Sequence, residues 1–138
     1  MKAISLWQPW ATLMAQRLKR IETRSWYTAY RGPLLIHAAK RKPTKQEVTF
    51  LQDECFDHDA YFYPYDLVFG ALLCRVDLVD CVPTGTAKTP MPDELEYHLG
   101  NYNPGRYMWI TDNLQVFYRP IPYRGRQRLF DVPEEVIR

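Results

Sequence analysis

The chain has 138 residues, of which 46 % are hydrophobic and 25 % are charged, as in an ordinary soluble globule. This length favours one domain over residues 1–138 with a core of its own. The sequence contains no apolar run as long as a membrane span, and no secretory signal follows Met1. We therefore expect a cytoplasmic protein with no membrane contact and no obligate protein partner.

The net charge of +2 conceals an uneven distribution along the chain. Residues 1–45 carry ten Lys and Arg residues against one acid, whereas residues 46–100 carry two basic residues against eleven acids. A basic segment gathered on one face would attract phosphate groups. An acidic segment folded over it would cancel that attraction, and the sequence leaves both arrangements open.

The three cysteines, at positions 55, 74 and 81, form no C-x-x-C pair and have no paired histidines nearby. This pattern favours reduced, buried thiols over a metal site. A P-loop and a dinucleotide-binding fingerprint are both absent from the sequence, so we expect no cofactor.

The first elements are a short strand-like run, Ala3–Trp7, and a helix that begins near Pro9, a residue suited to a first helical turn. Apolar residues recur at helical spacing and form one stripe, at Ala11, Met14, Ala15 and Leu18. The helix is expected to lead directly into a strand at about Arg20, where the period of the pattern changes to two.

On this second strand, Glu22, Arg24 and Trp26 share one face, and Lys19 lies at the junction with the helix. One interpretation is a cross-strand ion pair beside a half-buried tryptophan, which contributes little at a surface. The other is a pocket in which the cations hold an anionic or carbonyl-bearing ligand and the indole stacks on a ring. Residue types alone leave both interpretations open.

The spacing of four residues across this junction matches a known signature, G-x-K-x-x-E-x-R. Lys19, Glu22 and Arg24 match the last three positions of the signature, and Arg17 stands where the signature has glycine. Three further blocks flank the signature: LWQPWA at Leu6–Ala11, YRGPLLIHA at Tyr30–Ala38 and PGRYMW at Pro104–Trp109. On these residues the chain resembles the ASCH family, the activating signal cointegrator homology domain, and its blocks are similar to those of bacterial and phage members.

The resemblance implies an α+β fold. It is a PUA-like mixed β-barrel of about five to six strands, with an N-terminal helix and one or two further helices packed around it. The resemblance also implies a cleft built around Lys19, Glu22 and Arg24, and it makes RNA or a modified nucleoside the expected ligand.

Further along the chain, Arg31-Gly32-Pro33 predicts a turn before a strand over Leu34–Ala38. His37 on that strand is expected to be a hydrogen-bonded structural histidine rather than a catalytic base. Thr44 and Glu47 have the spacing of a capping box, which predicts a helix from there to about Cys55. The aromatic segment 56–69 is expected to pack as a loop against the barrel.

The clearest strand pattern covers Gly70–Val82 and predicts a central strand. A short helix is expected from about Asp93, closed by Gly100. Two strands, 106–111 and 114–118, are expected to form a hairpin at Asp112-Asn113. Family members with deacetylase activity are thought to use a glutamate from the helical region, which adds Glu94 and Glu96 as candidate acids.

The candidate site residues therefore fall into two groups besides those acids. Lys19 and Glu22 are the candidate catalytic residues. The candidate ligand-binding residues are Gln8, Trp10, Arg24, Trp26, Arg31, Arg106 and Tyr107. We expect no metal ligand among them.

Three functions fit this set. The first is a binding module for single-stranded RNA or one nucleoside, in which no bond is broken. The second resembles amidohydrolases that act on N4-acetylcytidine, but the threonine of that subgroup is Glu22 here. Such a hydrolase would need Glu22 as a general base and Lys19 beside the oxyanion. The third is a ribonuclease acting on single-stranded RNA without a metal.

Overall fold

The structure, a computed structural model, describes residues 1–55, 67–86 and 92–137. In these residues six strands are described: β1 Lys2–Leu6, β2 Ile21–Arg24, β3 Gly32–Ala38, β4 Ala71–Pro83, β5 Tyr107–Pro122 and β6 Phe130–Asp131. The same residues contain four short α-helices: α1 Trp10–Ala15, α2 Lys45–Phe50, α3 Glu94–His98 and α4 Glu134–Ile137. The chain continues from α2 as a π-helix over Leu51–Cys55.

The strands form one mixed sheet in the order β2-β5-β4-β3-β1-β6. Strands β1 and β3 are parallel, and the other neighbours are antiparallel. The α+β class and the six strands confirm the sequence prediction. Within the described residues, however, β2 and β6 are the edges of the sheet, so the sheet is open where a barrel was expected. In the same residues, three short helices follow α1 where one or two were expected.

The predicted central strand is confirmed, because β4 lies between β3 and β5 and its apolar side chains are buried. Trp109 of β5 joins the same core and is 1 % exposed. Cys74 and Cys81 are free and buried. Burial raises the pKa of the Cys74 thiol to about 12, so it stays protonated near neutral pH.

The predicted hairpin at Asp112-Asn113 is wrong, because β5 runs without a turn from Tyr107 to Pro122. Asn113 does adopt a left-handed backbone, with φ of 55°. Around Asn113 the register with β4 shifts from Asp112 opposite Asp77 to Gln115 opposite Arg75. The left-handed residue therefore forms a bulge in a continuous strand instead of a turn.

Local capping signals are confirmed. The Thr44 hydroxyl accepts from the Glu47 N–H at 3.1 Å, and the Glu47 carboxylate accepts from the Thr44 N–H at 2.9 Å. Asp93 caps α3 by accepting from the Glu96 N–H at 2.8 Å. Most of the aromatic segment, residues 56–66, lies outside the described residues. Among those that are described, no helix is long and apolar enough to span a membrane.

Candidate functional site

Helix α1 ends in a left-handed turn that directs the chain into β2. Arg17 has φ of 62°, and its N–H donates to the Met14 carbonyl at 3.1 Å. The Leu18 N–H donates to the Leu13 carbonyl at 3.0 Å. These two bonds are the Schellman pattern, in which the left-handed residue is usually glycine. The helix therefore stops at Ala15, earlier than the apolar stripe to Leu18 indicated.

The turn sends the Lys19 side chain inward, where it is fully buried. Its ammonium donates to the carbonyls of Ile21 and Leu99, the latter at 3.0 Å, and lies 3.6 Å from the Glu22 carboxylate. Two of the three N–H donors of the ammonium therefore bond to carbonyl oxygens, and its charge is balanced by the Glu22 carboxylate. Lys19 thus ties the start of β2 to the residue after α3.

The side chains of Glu22 and Arg24, unlike that of Lys19, are partly exposed to solvent. Their side chains are 17 % and 26 % exposed, and the Glu22 carboxylate is 3.4 Å from the Arg24 guanidinium. Arg24 Nη2 also donates to the Ser5 carbonyl at 2.8 Å. In the described part of the chain, the buried Nε–H of Arg24 has no hydrogen-bond partner. One acceptor and one unused donor therefore stand side by side.

Both side chains face a cavity of about 450 Å³, which we call the Glu22 cavity. It is lined by Ser5, Trp7, Trp10, residues 22–24, Glu47, residues 98–101 and Arg106. Two indoles supply apolar wall, and carboxylates and guanidinium groups supply polar wall. A volume in the range of roughly 300–1,000 Å³ is typical of small-molecule sites.

Four of the predicted site residues meet in this cavity: Trp10, Glu22, Arg24 and Arg106. Arg106 donates to the backbone carbonyls of Asn101 and Thr23, which fixes the loop after α3 against β2. Lys19 lies behind Glu22 and is not part of the cavity wall.

The other predicted ligand-binding residues lie elsewhere. The Gln8 amide is buried and bonds to Thr12 and to the Val68 carbonyl. Arg31 pairs with Asp80 at 3.6 Å. Tyr107 packs edge-on against Tyr27, with ring centroids 5.7 Å apart, outside the Glu22 cavity. Trp26 borders a second space, described below.

The two candidate acids of α3, Glu94 and Glu96, differ sharply in their exposure to solvent. The Glu94 side chain is 93 % exposed, and its carboxylate is 4.0 Å from His98. Glu96 is buried and accepts from the Arg20 N–H, and burial raises the pKa of its carboxyl. Neither side chain lines the Glu22 cavity.

A wider depression of about 1210 Å³ adjoins the Glu22 cavity and is called here the arginine groove. It is lined by Ser5, Trp7, Arg24, Trp26, His37, residues 39–40, Gly70 and residues 122–128. The Arg128 guanidinium lies 4.2 Å from the centroid of the Trp26 ring. Ser5, Trp7 and Arg24 line both spaces, which therefore lie next to each other, and we call the two together the cleft.

Sequence reasoning missed most of the wall residues, among them Ser5, Trp7 and Glu47. Trp7 is 56 % exposed, and the Arg41 guanidinium lies 3.9 Å from its ring centroid. The same guanidinium pairs with Glu47 at 2.9 Å. The indole near the start of the LWQPWA block was an available signal for Trp7, but Glu47 reaches the wall only because α2 packs there.

The architecture belongs to the PUA-like class of α+β folds. Crystal structures of the ASCH protein from Zymomonas mobilis and of a point mutant of it match with TM-scores of 0.54 and 0.55. The matches cover 98 % of this chain and 89 % and 91 % of theirs. Sequence identity is 14 % and 15 %, so this likeness concerns the fold.

The ASCH domain model matches residues 4–119, and the chain belongs to the ASCH domain family. It is 33 % identical over 135 residues to activating signal cointegrator 1 from Homo sapiens and 31 % identical to the Mus musculus protein. These alignments cover 96 % of this chain and 22 % of each cointegrator, so the chain spans about a fifth of these relatives. The PUA-like fold of the family is associated with RNA binding.

Proposed function

We propose that this domain binds single-stranded RNA, with one base in the Glu22 cavity and neighbouring phosphates along the arginine groove. The observation that carries the proposal is the wall of Ser5, Trp7 and Arg24 that the two spaces share. A base is joined to its phosphates through one sugar, so a base site needs a cationic surface next to it.

The chemistry of the Glu22 cavity suits a nucleobase. The Glu22 carboxylate accepts from an amino or ring N–H group, and the partly exposed Arg24 guanidinium donates to a ring nitrogen or carbonyl oxygen. The Trp7 and Trp10 indoles offer rings on which a base stacks, which contributes about 1–3 kcal/mol per base. A modified nucleoside is the alternative ligand and would fill this cavity without using the groove.

The arginine groove supplies the electrostatic half of the proposal. Lys40, Arg124, Arg126 and Arg128 line it, and none of these cations is paired with a carboxylate among the described residues. Each phosphate contact releases counterions, so affinity falls with salt concentration. In this scheme Lys19 does not touch the ligand, and its role is to hold Glu22 and the Leu99 carbonyl in place.

The test is the anisotropy of a labelled single-stranded RNA over a range of salt concentrations. Trp7→Ala should weaken binding by about tenfold or more, because one stacking contact is lost. Arg126→Gln should lower the slope of log affinity against log salt by about one unit at most. Tyr118→Ala and Arg119→Gln are matched controls, because both residues are exposed outside the cleft, and they should change neither quantity.

Two results would reject the proposal: no RNA binding at low salt, or equal losses in the cleft and control variants. The hydrolase alternatives are separated by product. The protein is incubated in a chelator with N4-acetylcytidine and with labelled RNA, and the expected result is intact substrate in both. Free cytidine would indicate an amidohydrolase, and shortened strands a ribonuclease, with Glu22 as the general base to substitute first.

A further inference from the structure

A serine and a histidine form a hydrogen-bonded pair in the wall of the cleft. Ser5 and His37 are register partners on the parallel strands β1 and β3. The Ser5 hydroxyl lies 2.9 Å from Nδ1 of His37, and Nε2 lies 2.7 Å from the Tyr123 carbonyl oxygen. A carbonyl oxygen only accepts, so Nε2 carries the ring proton and Nδ1 accepts from the hydroxyl.

This arrangement contains the three parts of an activated nucleophile. A hydroxyl, a base within hydrogen-bond reach and a third group that orients the base are its defining features. His37 is 2 % exposed, and burial lowers the pKa of its imidazole, which keeps the ring neutral near pH 7 and able to accept a proton. The bonds that make His37 a structural histidine also hold it in the tautomer of a base.

The pair stands where a ligand would meet it. Ser5 belongs to the wall shared by the Glu22 cavity and the arginine groove, and His37 lines the groove. Arg24 donates one N–H to the Ser5 carbonyl, and its buried Nε–H has no partner in the described ranges. In this proposal the Arg24 guanidinium, which is held beside the Ser5 backbone, stabilises the developing oxyanion.

We propose that Ser5 and His37 form a nucleophilic pair that hydrolyses a carboxylic ester carried by a phosphate-bearing molecule. The part of this proposal that concerns the pair and its reactivity does not depend on RNA binding. The phosphate requirement rests on the proposed function of the arginine groove, where Arg124, Arg126 and Arg128 lie.

The reaction proceeds in two balanced steps. Ser5 Oγ forms a bond to the ester carbon while its proton passes to His37 Nδ1, and the bond from that carbon to the alcohol oxygen breaks. The alcohol leaves with the proton from His37, so an acyl-serine remains. Water then attacks the acyl carbon and gives its proton to His37, which returns a proton to Ser5 Oγ as the carboxylic acid leaves.

Gly125 fixes the geometry of the pair from the groove side. A Cβ atom at this position would lie 2.5 Å from His37 Cε1, a distance that real Cβ atoms essentially never show, and 3.2 Å from Ser5 Oγ, which is tighter than most Cβ contacts. Glycine therefore lets the loop after β5 lie directly against the imidazole. Gly125→Ala would displace His37 or the loop without removing either reacting group.

The chain contains two serines, Ser5 and Ser25, which makes labelling a clean test. The protein is treated with an alkyl fluorophosphonate, which bonds covalently to activated serines, and the adduct is located by peptide mass spectrometry. We expect one adduct, on Ser5, and none on the exposed Ser25. Labelling should disappear in Ser5→Ala, persist in Ser25→Ala, and slow by roughly 100-fold in His37→Gln.

Gly125→Ala is the second variant if His37→Gln does not fold, and it should also slow labelling. Turnover is compared for 2′(3′)-O-acetyl-AMP and 2′(3′)-O-acetyladenosine, and the phosphate should raise kcat/KM by roughly tenfold. No adduct on Ser5, equal labelling of Ser25, or unchanged ester hydrolysis in Ser5→Ala would overturn the pair. Because RNA binding by the unmodified protein is measured separately, its failure would remove only the phosphate requirement.

Discussion

Arg17 occupies a backbone conformation that favours glycine, so Arg17→Gly should stabilise the protein. A left-handed non-glycine residue costs about 1–2 kcal/mol. Glycine returns about 0.5–1 kcal/mol of this through the greater freedom of the unfolded chain. The Arg17 side chain is exposed and has no hydrogen bond or ion pair within the described ranges, so its loss adds little. The net gain should be about 0.5–1 kcal/mol.

The measurement is urea unfolding followed by tryptophan fluorescence, supported by the thermal midpoint. For a chain of this size the gain corresponds to a rise in Tm of roughly 2–4 °C. Arg17→Ala is the matched control: it removes the guanidinium but keeps a Cβ in the left-handed conformation, so its stability should match that of the parent. Equal stabilisation by alanine and glycine would refute the strain argument, as would a glycine variant no more stable than the parent.

Two further predictions concern buried groups. Burial raises the pKa of Glu96 above 4.5, so the folded state holds this proton more tightly than the unfolded chain, and unfolding free energy should fall as pH rises above that value. Urea titrations at about pH 5 and about pH 8 should show a smaller fall in Glu96→Gln, with the exposed Glu94→Gln unchanged from the parent. A fall in the unfolding free energy of Glu96→Gln as large as that of the parent would contradict this assignment. Trp109 is buried, and its ring centroid lies 4.7 Å from that of Trp26. Trp109→Ala should therefore lower the unfolding free energy by about 3–5 kcal/mol in the same titration, and Trp109→Phe by clearly less. Equal losses in the two Trp109 variants would contradict the packing argument.

The fold was predictable where one short stretch of sequence decides the structure. The Thr44 and Glu47 cap and the apolar pattern of β4 are local signals, and both are confirmed. Asn113 shows the limit, because a left-handed asparagine suits a hairpin turn and a strand bulge equally. The pairing of β5 with distant β4 decided between them. The open sheet likewise follows from which distant strands pair.

The candidate site divides in the same way. Strand alternation placed Glu22 and Arg24 on a common face, and both line the cavity. The inward direction of Lys19 depends on the backbone of Arg17, which a pattern of residue types does not reveal. Trp7 and His37 enter the cleft through the arrangement of β1, β3 and the loop after β5, elements far apart in the sequence.

The Schellman turn after α1 divides the G-x-K-x-x-E-x-R signature into two halves. Its first two positions, Arg17 and Lys19 here, govern how the chain bends and what the bend is fastened to. Its last two, Glu22 and Arg24, line the Glu22 cavity. A variant that keeps Arg17 and Lys19 and exchanges Glu22 and Arg24 should therefore retain the turn and its anchor while the chemistry of the cavity wall changes.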